Sequence, residues 1–194
     1  MKSYTADSSA GAKAPQRRIL GSNVTEGVKN FERHYEEIEL INAAADEVFA
    51  YADNHANFSS HMNKSSWMMG GSKMETSVDV GKGRKIGSHI RMSGKAFGLT
   101  LFLDEVVIQH EPPYRKAWET VGNLKLLVID HYKLGFEISP DGKASKLKVF
   151  IDYDLPKNFA SRLLGYLFGG VYAKWCVNQM IGGVREHFLD YKKL

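Results

Sequence analysis

Residues 162–174 read RLLGYLFGGVYAK, so eleven consecutive positions between Arg162 and Lys174 carry no charge. The segment around them, Lys157–Tyr191, is predicted to form one long helix. A helix that is apolar on nearly every side must be covered on more than one side. The uncharged run is shorter than the roughly 18–20 apolar residues that cross a bilayer. The helix is therefore expected to be buried in the protein, covered by a partner, laid on a membrane or wrapped around a hydrophobic molecule.

Two opposing signals run along this helix. Large apolar residues recur three and four positions apart, which favours packing on the rest of the protein; they are Leu163, Leu164, Leu167, Phe168, Val171 and Trp175. Glycine costs about 0.8–1 kcal/mol relative to alanine inside a helix, yet the segment contains Gly165, Gly169, Gly170, Gly182 and Gly183. So many glycines indicate bends or a close approach, with room for a ligand or a neighbouring chain.

The chain before this helix predicts an antiparallel sheet with two short helices near its start. His34–Ile41 alternates charged and apolar residues, as a half-buried strand does. Asp46 is the predicted N-cap of a first helix, and Asn57–Met62 predicts a second. From Ser65 to Leu155, strand-like segments alternate with turns rich in glycine and proline.

The last two predicted strands, Leu124–Ile138 and Lys146–Leu155, show the clearest period of two. The alternation turns Val128, Asp130 and Tyr132 toward the same face as the apolar residues. Such one-sided patterning is typical of an antiparallel sheet with one wet face. The terminal helix is the only predicted element long enough to cover the apolar face.

Length and charge bound the class of protein. The chain has 194 residues and a net charge of +4, and a single domain is expected over residues 31–194. Residues 1–30 hold +3 of that charge and almost no large apolar side chain, so they are predicted to be a flexible basic tail. The body is nearly neutral, and no nucleic-acid partner is expected.

Several features point to a reducing compartment and to no bound metal. The single cysteine, Cys176, excludes an internal disulfide. The N-terminus lacks the apolar core of a signal peptide, so a cytoplasmic location is expected. The seven histidines show no metal-ligand spacing, and neither a metal nor a cofactor is predicted. Gly81–Lys85 lacks the spacing of a phosphate-binding loop and is predicted to be a solvated hairpin.

Three motifs in order carry a resemblance to a known family. Ile38–Asp53 looks like the opening strand, small-residue turn and Val-Phe helix of the helix-grip proteins. Glu111–Trp118 is similar to their Pro-Pro hairpin and following Trp-bearing strand, and Tyr132–Asp152 to their late hairpin. This superfamily contains START lipid-transfer domains, birch-pollen-allergen-like proteins and polyketide cyclase/dehydrase-like proteins.

The resemblance covers about residues 34–190 and implies an α+β helix-grip fold. In that fold, a curved antiparallel sheet of about seven strands wraps on a long C-terminal helix, and two short helices follow the first strand. An apolar cavity between sheet and helix is implied as well. The superfamily includes binding, transport and enzymatic members, so the fold alone does not fix the function.

Candidate site residues are the methionines, aromatic residues and inward-facing groups expected around that cavity. Asp130 is the candidate catalytic group, with Arg91 beside it, because a buried carboxylate is costly and tends to have a raised pKa. The alternative for Asp130 is a strand-end carboxylate that pairs with Arg91 or reaches solvent. The predicted ligand-binding residues are Trp67, Met69, Met92, Trp118, Val128, Asp130, Tyr132, Tyr153, Leu167, Phe168, Val171 and Trp175.

The leading hypothesis is binding or transport of a hydrophobic or amphipathic small molecule, of lipid, isoprenoid or polyketide type, between sheet and helix. The alternative is an enzyme of the polyketide cyclase/dehydrase kind, in which Asp130 and Arg91 perform acid–base chemistry. A third hypothesis is a membrane-associated accessory protein that docks through the apolar helix and the basic tail. A monomer and a homodimer are both compatible with the sequence.

Overall fold

A computed structural model describes residues 30–58, 74–96 and 99–190. Seven strands form one antiparallel sheet in the order β1-β7-β6-β5-β4-β3-β2. The strands are β1 (Arg33–Ile41), β2 (Met74–Val78), β3 (His89–Ala96), β4 (Leu99–Glu111), β5 (Arg115–Lys125), β6 (Tyr132–Asp141) and β7 (Ala144–Tyr153). The helices are α1 (Ala45–Asp53), α2 (His55–Phe58) and α3 (Phe159–Asp190). The predicted α+β architecture, with two short helices after the first strand and one long terminal helix, is confirmed.

The first helices differ in detail from the prediction. The N-cap of α1 is Ala44 and not Asp46, which lies in the first turn of the helix. The Glu47 carboxylate accepts a hydrogen bond from the Ala44 backbone N–H at 3.1 Å, so the N3 residue closes the helix end. Helix α2 begins at His55, two residues before the predicted start. The rest of the predicted second helix lies outside the described residues.

One face of the sheet supplies the core, as the alternation in β6 and β7 predicts. Leu134, Phe136 and Ile138 from β6 are buried beside Leu147 and Val149 from β7. Helix α1 covers one end of this face, where the Phe49 and Phe136 rings lie edge to face with centroids 5.6 Å apart. Burial of these side chains supplies the main favourable free energy of the fold, at roughly 1.5–3 kcal/mol for each.

The predicted strand Leu124–Ile138 is wrong as a single element. Strand β5 ends at Lys125, β6 begins at Tyr132, and a connection of residues 126–131 lies between them. The backbone N–H of Asp130 donates to the Asp154 carbonyl at 2.9 Å, which ties this connection to the segment after β7. The connection contains no glycine or proline, and it lies against α3, where the Val128 carbonyl approaches Gly165 and Gly169, so the apolar pattern continues past the end of the strand.

Helix α3 buries its larger side chains only from Ala173 onward. These are Ala173, Cys176, Val177, Met180, Ile181 and Val184, and before them the buried positions of the helix are the glycines Gly165 and Gly169. In the first half, Gly165 and Gly169 face the connection, and a Cβ on Gly165 would lie only 2.7 Å from the Val128 carbonyl oxygen. The glycines thus bring the helix axis close to the sheet, and the larger side chains of this half point elsewhere.

The prediction that the apolar residues of this first half pack into the core is therefore wrong. Leu163, Leu164, Leu167, Phe168 and Val171 are between 46% and 59% exposed. Trp175, one turn later, is half-buried and packs on Met92, Leu101 and Leu103. Among residues 30–58, 74–96 and 99–190, no helix is both long and apolar enough to cross a bilayer.

Candidate functional site

A small cavity lies between the apolar face of the sheet and the buried half of α3. Its volume is about 20 Å³, which is close to the space that one water molecule needs. It is lined by His55, Met92, Glu105, Trp118, Ile129, Tyr132, Leu134, Ile151, Tyr172, Cys176 and Met180. The cavity therefore joins residues from α2, from the strands of the sheet, from the β5–β6 connection and from α3.

Glu105 is the charged group of this cavity. Strand β4 turns Leu101, Leu103 and Glu105 to the inner face, and Glu105 is only 1% exposed. Its Oε1 accepts hydrogen bonds from the Trp118 indole N–H, at 3.1 Å, and from the Tyr132 hydroxyl. Its Oε2 is buried and has no hydrogen-bond partner among the described residues. One oxygen of the carboxyl group is thus held by two hydrogen bonds, and the other is available to a further polar group.

Burial raises the pKa of Glu105 to about 7. The hydrogen bonds from Tyr132 and Trp118 stabilise the carboxylate and oppose this rise, while the negative charge of Asp104 adds to it. At neutral pH the carboxyl group is thus present in both protonation states. A group poised in this way can accept a hydrogen bond, donate one, or exchange a proton with a bound molecule.

The other titratable groups around the cavity whose pKa is shifted are held neutral. Burial raises the pKa of the Cys176 thiol to about 12, so a thiolate nucleophile is not formed at this position near neutral pH. Burial also raises the pKa of the Tyr132 and Tyr172 hydroxyls, and the nearby Glu105 adds to both effects. Tyr132 therefore remains a hydrogen-bond donor to Glu105.

A second buried polar cluster lies behind Trp118. The Lys116 ammonium, 1% exposed, donates to the Asp53 carboxylate at 2.8 Å and to the Asp53 carbonyl at 2.9 Å. His110 Nε2 lies 3.0 Å from the same carboxylate oxygen. Ile108 is the extra residue of a bulge in β4, and this bulge turns His110 to the inner face opposite Lys116.

This cluster satisfies its own charges and does not line the cavity. Burial lowers the pKa of Lys116, and the hydrogen bond to Asp53 opposes the shift. The Lys116 Nζ lies 5.9 Å from the centroid of the Trp118 ring, so the indole separates the ammonium from the cavity. Its positive charge still acts on Glu105 and lowers the pKa of that carboxyl group.

Of the predicted ligand-binding residues, Met92, Trp118 and Tyr132 line the cavity. Tyr153 is buried in the surrounding core, and Val128 is half-buried in the β5–β6 connection. Leu167, Phe168 and Val171 project from the first half of α3, and Trp175 lies beside Met92. Trp67 and Met69 lie outside the described residues. The ligand-binding role of each of these residues stays a prediction.

The predicted pairing of Asp130 with Arg91 is wrong. Arg91 lies on the outer face of β3, where its Nε donates to the Asp104 carboxylate at 3.1 Å. Asp130 is half-buried in the connection before β6 and has no strand alternation to turn it inward. The inward carboxyl group of this sheet is Glu105.

The sequence contains a signal for Glu105 that the prediction missed. In LFLDEVV, residues 101–107, the alternation of Leu101, Leu103 and Val107 places Glu105 on the apolar face. The same alternation predicts an inward Asp130, but β4 continues through Glu105, whereas the strand before Asp130 ends at Lys125. In the described part of the chain, no group of three or more histidine, cysteine or acidic residues could hold a metal ion.

No protein-family model matches the sequence, and no curated protein matches it. Solved structures do match the fold. The TTHA0849 protein from Thermus thermophilus is 16% identical, with a TM-score of 0.58, over 82% of this chain and 99% of that one. A point mutant of norcoclaurine synthase from Thalictrum flavum is 13% identical, with a TM-score of 0.59, over 82% and 96% of the two chains.

A third solved structure also matches the fold. Ara h 8.0201 is 8% identical, with a TM-score of 0.53, over 81% of this chain and 98% of that one. Identities this low carry information about the fold and leave the activity open. The match nevertheless covers between 96% and 99% of each of these proteins. The chain therefore has the helix-grip fold of norcoclaurine synthase and the birch-pollen-allergen-like proteins, as the three sequence motifs predict.

Proposed function

We propose that this protein binds a hydrophobic small molecule that carries a polar group, and that Glu105 receives that group between the sheet and α3. The observation that carries the proposal is the second carboxyl oxygen of Glu105, buried among apolar side chains without a hydrogen-bond partner in the described residues. A buried polar atom left in this state costs free energy, and a ligand that pairs with it recovers that cost.

The surroundings of Glu105 favour an apolar ligand body. Met92, Ile129, Leu134, Ile151 and Met180 contribute apolar surface to the cavity. A ligand buried against them gains roughly 25 cal/mol for each Å² of apolar area removed from water. Glu105 would then fix the orientation, by accepting from a ligand hydroxyl when ionised or donating to a carbonyl when protonated.

The size of the cavity sets a condition on this proposal. Its 20 Å³ is far below the roughly 300–1,000 Å³ of typical ligand pockets, so entry of a ligand requires its walls to move apart. Met92 and Met180 line the cavity, and methionine adapts readily to a new shape. The first half of α3, which leads into the helical wall of the cavity, rests on the connection through glycines and exposes its larger side chains, so it can move with little loss of buried apolar surface.

The fold itself supports a small-molecule site. Norcoclaurine synthase from Thalictrum flavum, 15% identical to this chain with a TM-score of 0.54, has a structure in complex with dopamine and hydroxybenzaldehyde. Lipid-, isoprenoid- and polyketide-like molecules with a hydroxyl or carbonyl group all meet the requirement set by Glu105.

A titration followed by NMR at the Trp118 indole N–H tests the proposal, because this group donates directly to Glu105. A fatty alcohol is the probe, and the alkane with the same carbon chain is its matched comparison. We expect the alcohol to shift the Trp118 signal at lower concentration than the alkane, and Glu105→Leu to abolish that preference. Asp104→Asn is the control variant, since Asp104 is the neighbouring carboxylate on the outer face. Equal responses to alcohol and alkane in the wild type would contradict a polar anchor at Glu105.

A second candidate function is acid–base catalysis on such a ligand, of the polyketide cyclase/dehydrase kind. The observation that favours it is the pKa of Glu105, raised to about 7, together with the Tyr132 hydroxyl on the same carboxyl group. A catalyst would lose turnover in Glu105→Gln while it keeps most of its affinity for the ligand. In a carrier, Glu105→Gln would weaken ligand binding, and the wild type would show no turnover.

A further inference from the structure

A cluster of exposed apolar residues covers the first half of α3 and is here named the helix patch. Its members are Phe159, Leu163, Leu164, Tyr166, Leu167, Phe168 and Val171, which are between 46% and 87% exposed. A cluster of exposed large apolar side chains marks a surface that contacts another protein, a ligand or a membrane. None of them lines the cavity around Glu105, so the patch is a feature separate from the candidate site.

The glycines of α3 explain why the patch faces outward. Gly165 and Gly169 lie one turn apart on the side of the helix that touches the β5–β6 connection. Since the glycine side faces the protein, the opposite side of the helix, with Leu163, Leu167 and Val171, is directed away from it. The helix therefore shows its apolar stripe to the outside, which is the reverse of an ordinary surface helix.

The charged residues of the chain segment that carries the helix patch are all positive. From Leu155 to Val184 the sequence contains Lys157, Arg162 and Lys174 and no aspartate or glutamate. Lys157 and Lys174 are exposed at the two ends of the patch. Arg162 is already paired with Glu32, at 2.9 Å, so among the three cations of this segment the two lysines are those available to an outside partner.

The chain N-terminal to the sheet reaches the described structure beside the same patch. The Arg33 guanidinium lies over the Tyr166 ring, 5.1 Å from its centroid, and Glu32 pairs with Arg162. Residues 1–29, which precede this point, contain five lysine and arginine residues against two acidic ones. Further positive charge is thus joined to the protein next to the helix patch.

We infer that the helix patch docks on an anionic lipid bilayer surface. Leucine and phenylalanine side chains insert at the boundary of headgroups and acyl chains, and the flanking lysines meet the negative surface potential. A second copy of this chain fits less well, because it would bring lysines together with no carboxylate on the helix segment to pair with them. Charge and apolar area both match a membrane that contains acidic lipids.

Sedimentation with lipid vesicles tests this inference on the full chain. The vesicles contain phosphatidylcholine alone, or equal parts of phosphatidylcholine and phosphatidylserine. We expect binding to the mixed vesicles that falls as salt is added, and a loss of about tenfold or more in Leu163→Gln/Leu167→Gln. Lys157→Gln/Lys174→Gln should weaken binding to the mixed vesicles several-fold.

The control variant is Val80→Gln/Ile86→Gln, which removes two exposed apolar residues from the β2–β3 connection. It should bind as the wild type does, and circular dichroism should show all variants folded. No binding to mixed vesicles at low salt would overturn the inference, and so would an equal loss in the control variant. A wild-type dimer that Leu163→Gln/Leu167→Gln dissociates would also overturn it, since a second copy would then cover the patch.

Discussion

At the scale of single residues, Glu105 is the feature that packing alone does not explain. A leucine at this position would match Leu101 and Leu103 on the same face and would need no hydrogen bonds. Glutamate leaves a buried carboxyl group with only one of its two oxygens paired in the described residues. A site that holds such a group at a cost in stability is typical of a functional centre.

Replacement of Glu105 by glutamine should change how stability depends on pH. The pKa of Glu105 is raised to about 7 in the folded protein, against 4.5 for its ordinary value. The stabilisation of the protonated form is therefore complete below about pH 4.5 and is lost as the pH rises through 7, at a cost on the order of 3 kcal/mol. Urea unfolding at a series of pH values should show this loss in the wild type and a flatter profile in Glu105→Gln. Identical slopes in the two proteins would contradict the raised pKa.

The comparison of Glu105 with Asp130 shows what a residue pattern can predict. Alternation does place an acidic residue on an inner face, but only if the strand continues through it. In β4 it does, and in the predicted strand around Asp130 the chain leaves the sheet at Lys125. Nothing local marks that exit, because the connection contains neither glycine nor proline. The connection after it lies against Gly165 and Gly169 of α3, which are distant in sequence.

At the scale of elements, α3 consists of two halves that differ in burial. The second half is buried and forms one wall of the cavity, while the first half touches the protein through glycines. The sequence predicts the helix to within two residues at its start and one at its end. It does not predict which side of the first half faces outward, since apolar residues occupy most of that surface.

Alanine at the two kinds of glycine in α3 should have opposite effects on stability. A Cβ at Gly165 would meet the Val128 carbonyl oxygen and the Pro156 ring at 2.7 Å, so the helix must shift. We expect Gly165→Ala to lower the free energy of unfolding by about 1–3 kcal/mol. Gly182→Ala is the matched control, because nothing lies within 4 Å of its Cβ, and it should raise stability by about 0.5–1 kcal/mol. Thermal unfolding measures both, and a stabilised Gly165→Ala would contradict the close contact.

The buried ion pair between the end of α1 and β5 is a second link between elements. Asp53→Asn would leave the Lys116 ammonium buried without its charged partner, and such a loss costs about 3–5 kcal/mol. In Asp53→Asn/Lys116→Met no unpaired charge remains, so part of the stability should return. Asp46→Asn, an exposed carboxylate on the same helix, should change little. Urea unfolding of the wild type, the two single variants of the pair and the double variant gives the coupling energy, and additive effects would argue against the pair.

At the scale of the whole molecule, the order of elements determines the fold more strongly than any single motif. Strands β6 and β7 alternate cleanly, and the chain then turns at Pro156 into the long helix. Strand β1 lies at the edge of the sheet beside β7, in a register that pairs Ile41 with Ser145. The alternation and the order of elements can be read from the sequence, whereas the place of β1 beside β7 and its register are found in the structure. The cavity volume depends on how individual side chains interlock, and this cannot be read from a pattern.

The central claim is that the interior binds a hydrophobic small molecule anchored at Glu105. Native mass spectrometry of freshly purified protein, followed by extraction and identification of any bound molecule, tests it most directly. We predict a bound species with an apolar body and a hydroxyl or carbonyl group, retained in Asp104→Asn and reduced in Glu105→Leu. A wild-type protein that carries no bound species, and takes up none when incubated with a total lipid extract, would contradict the claim.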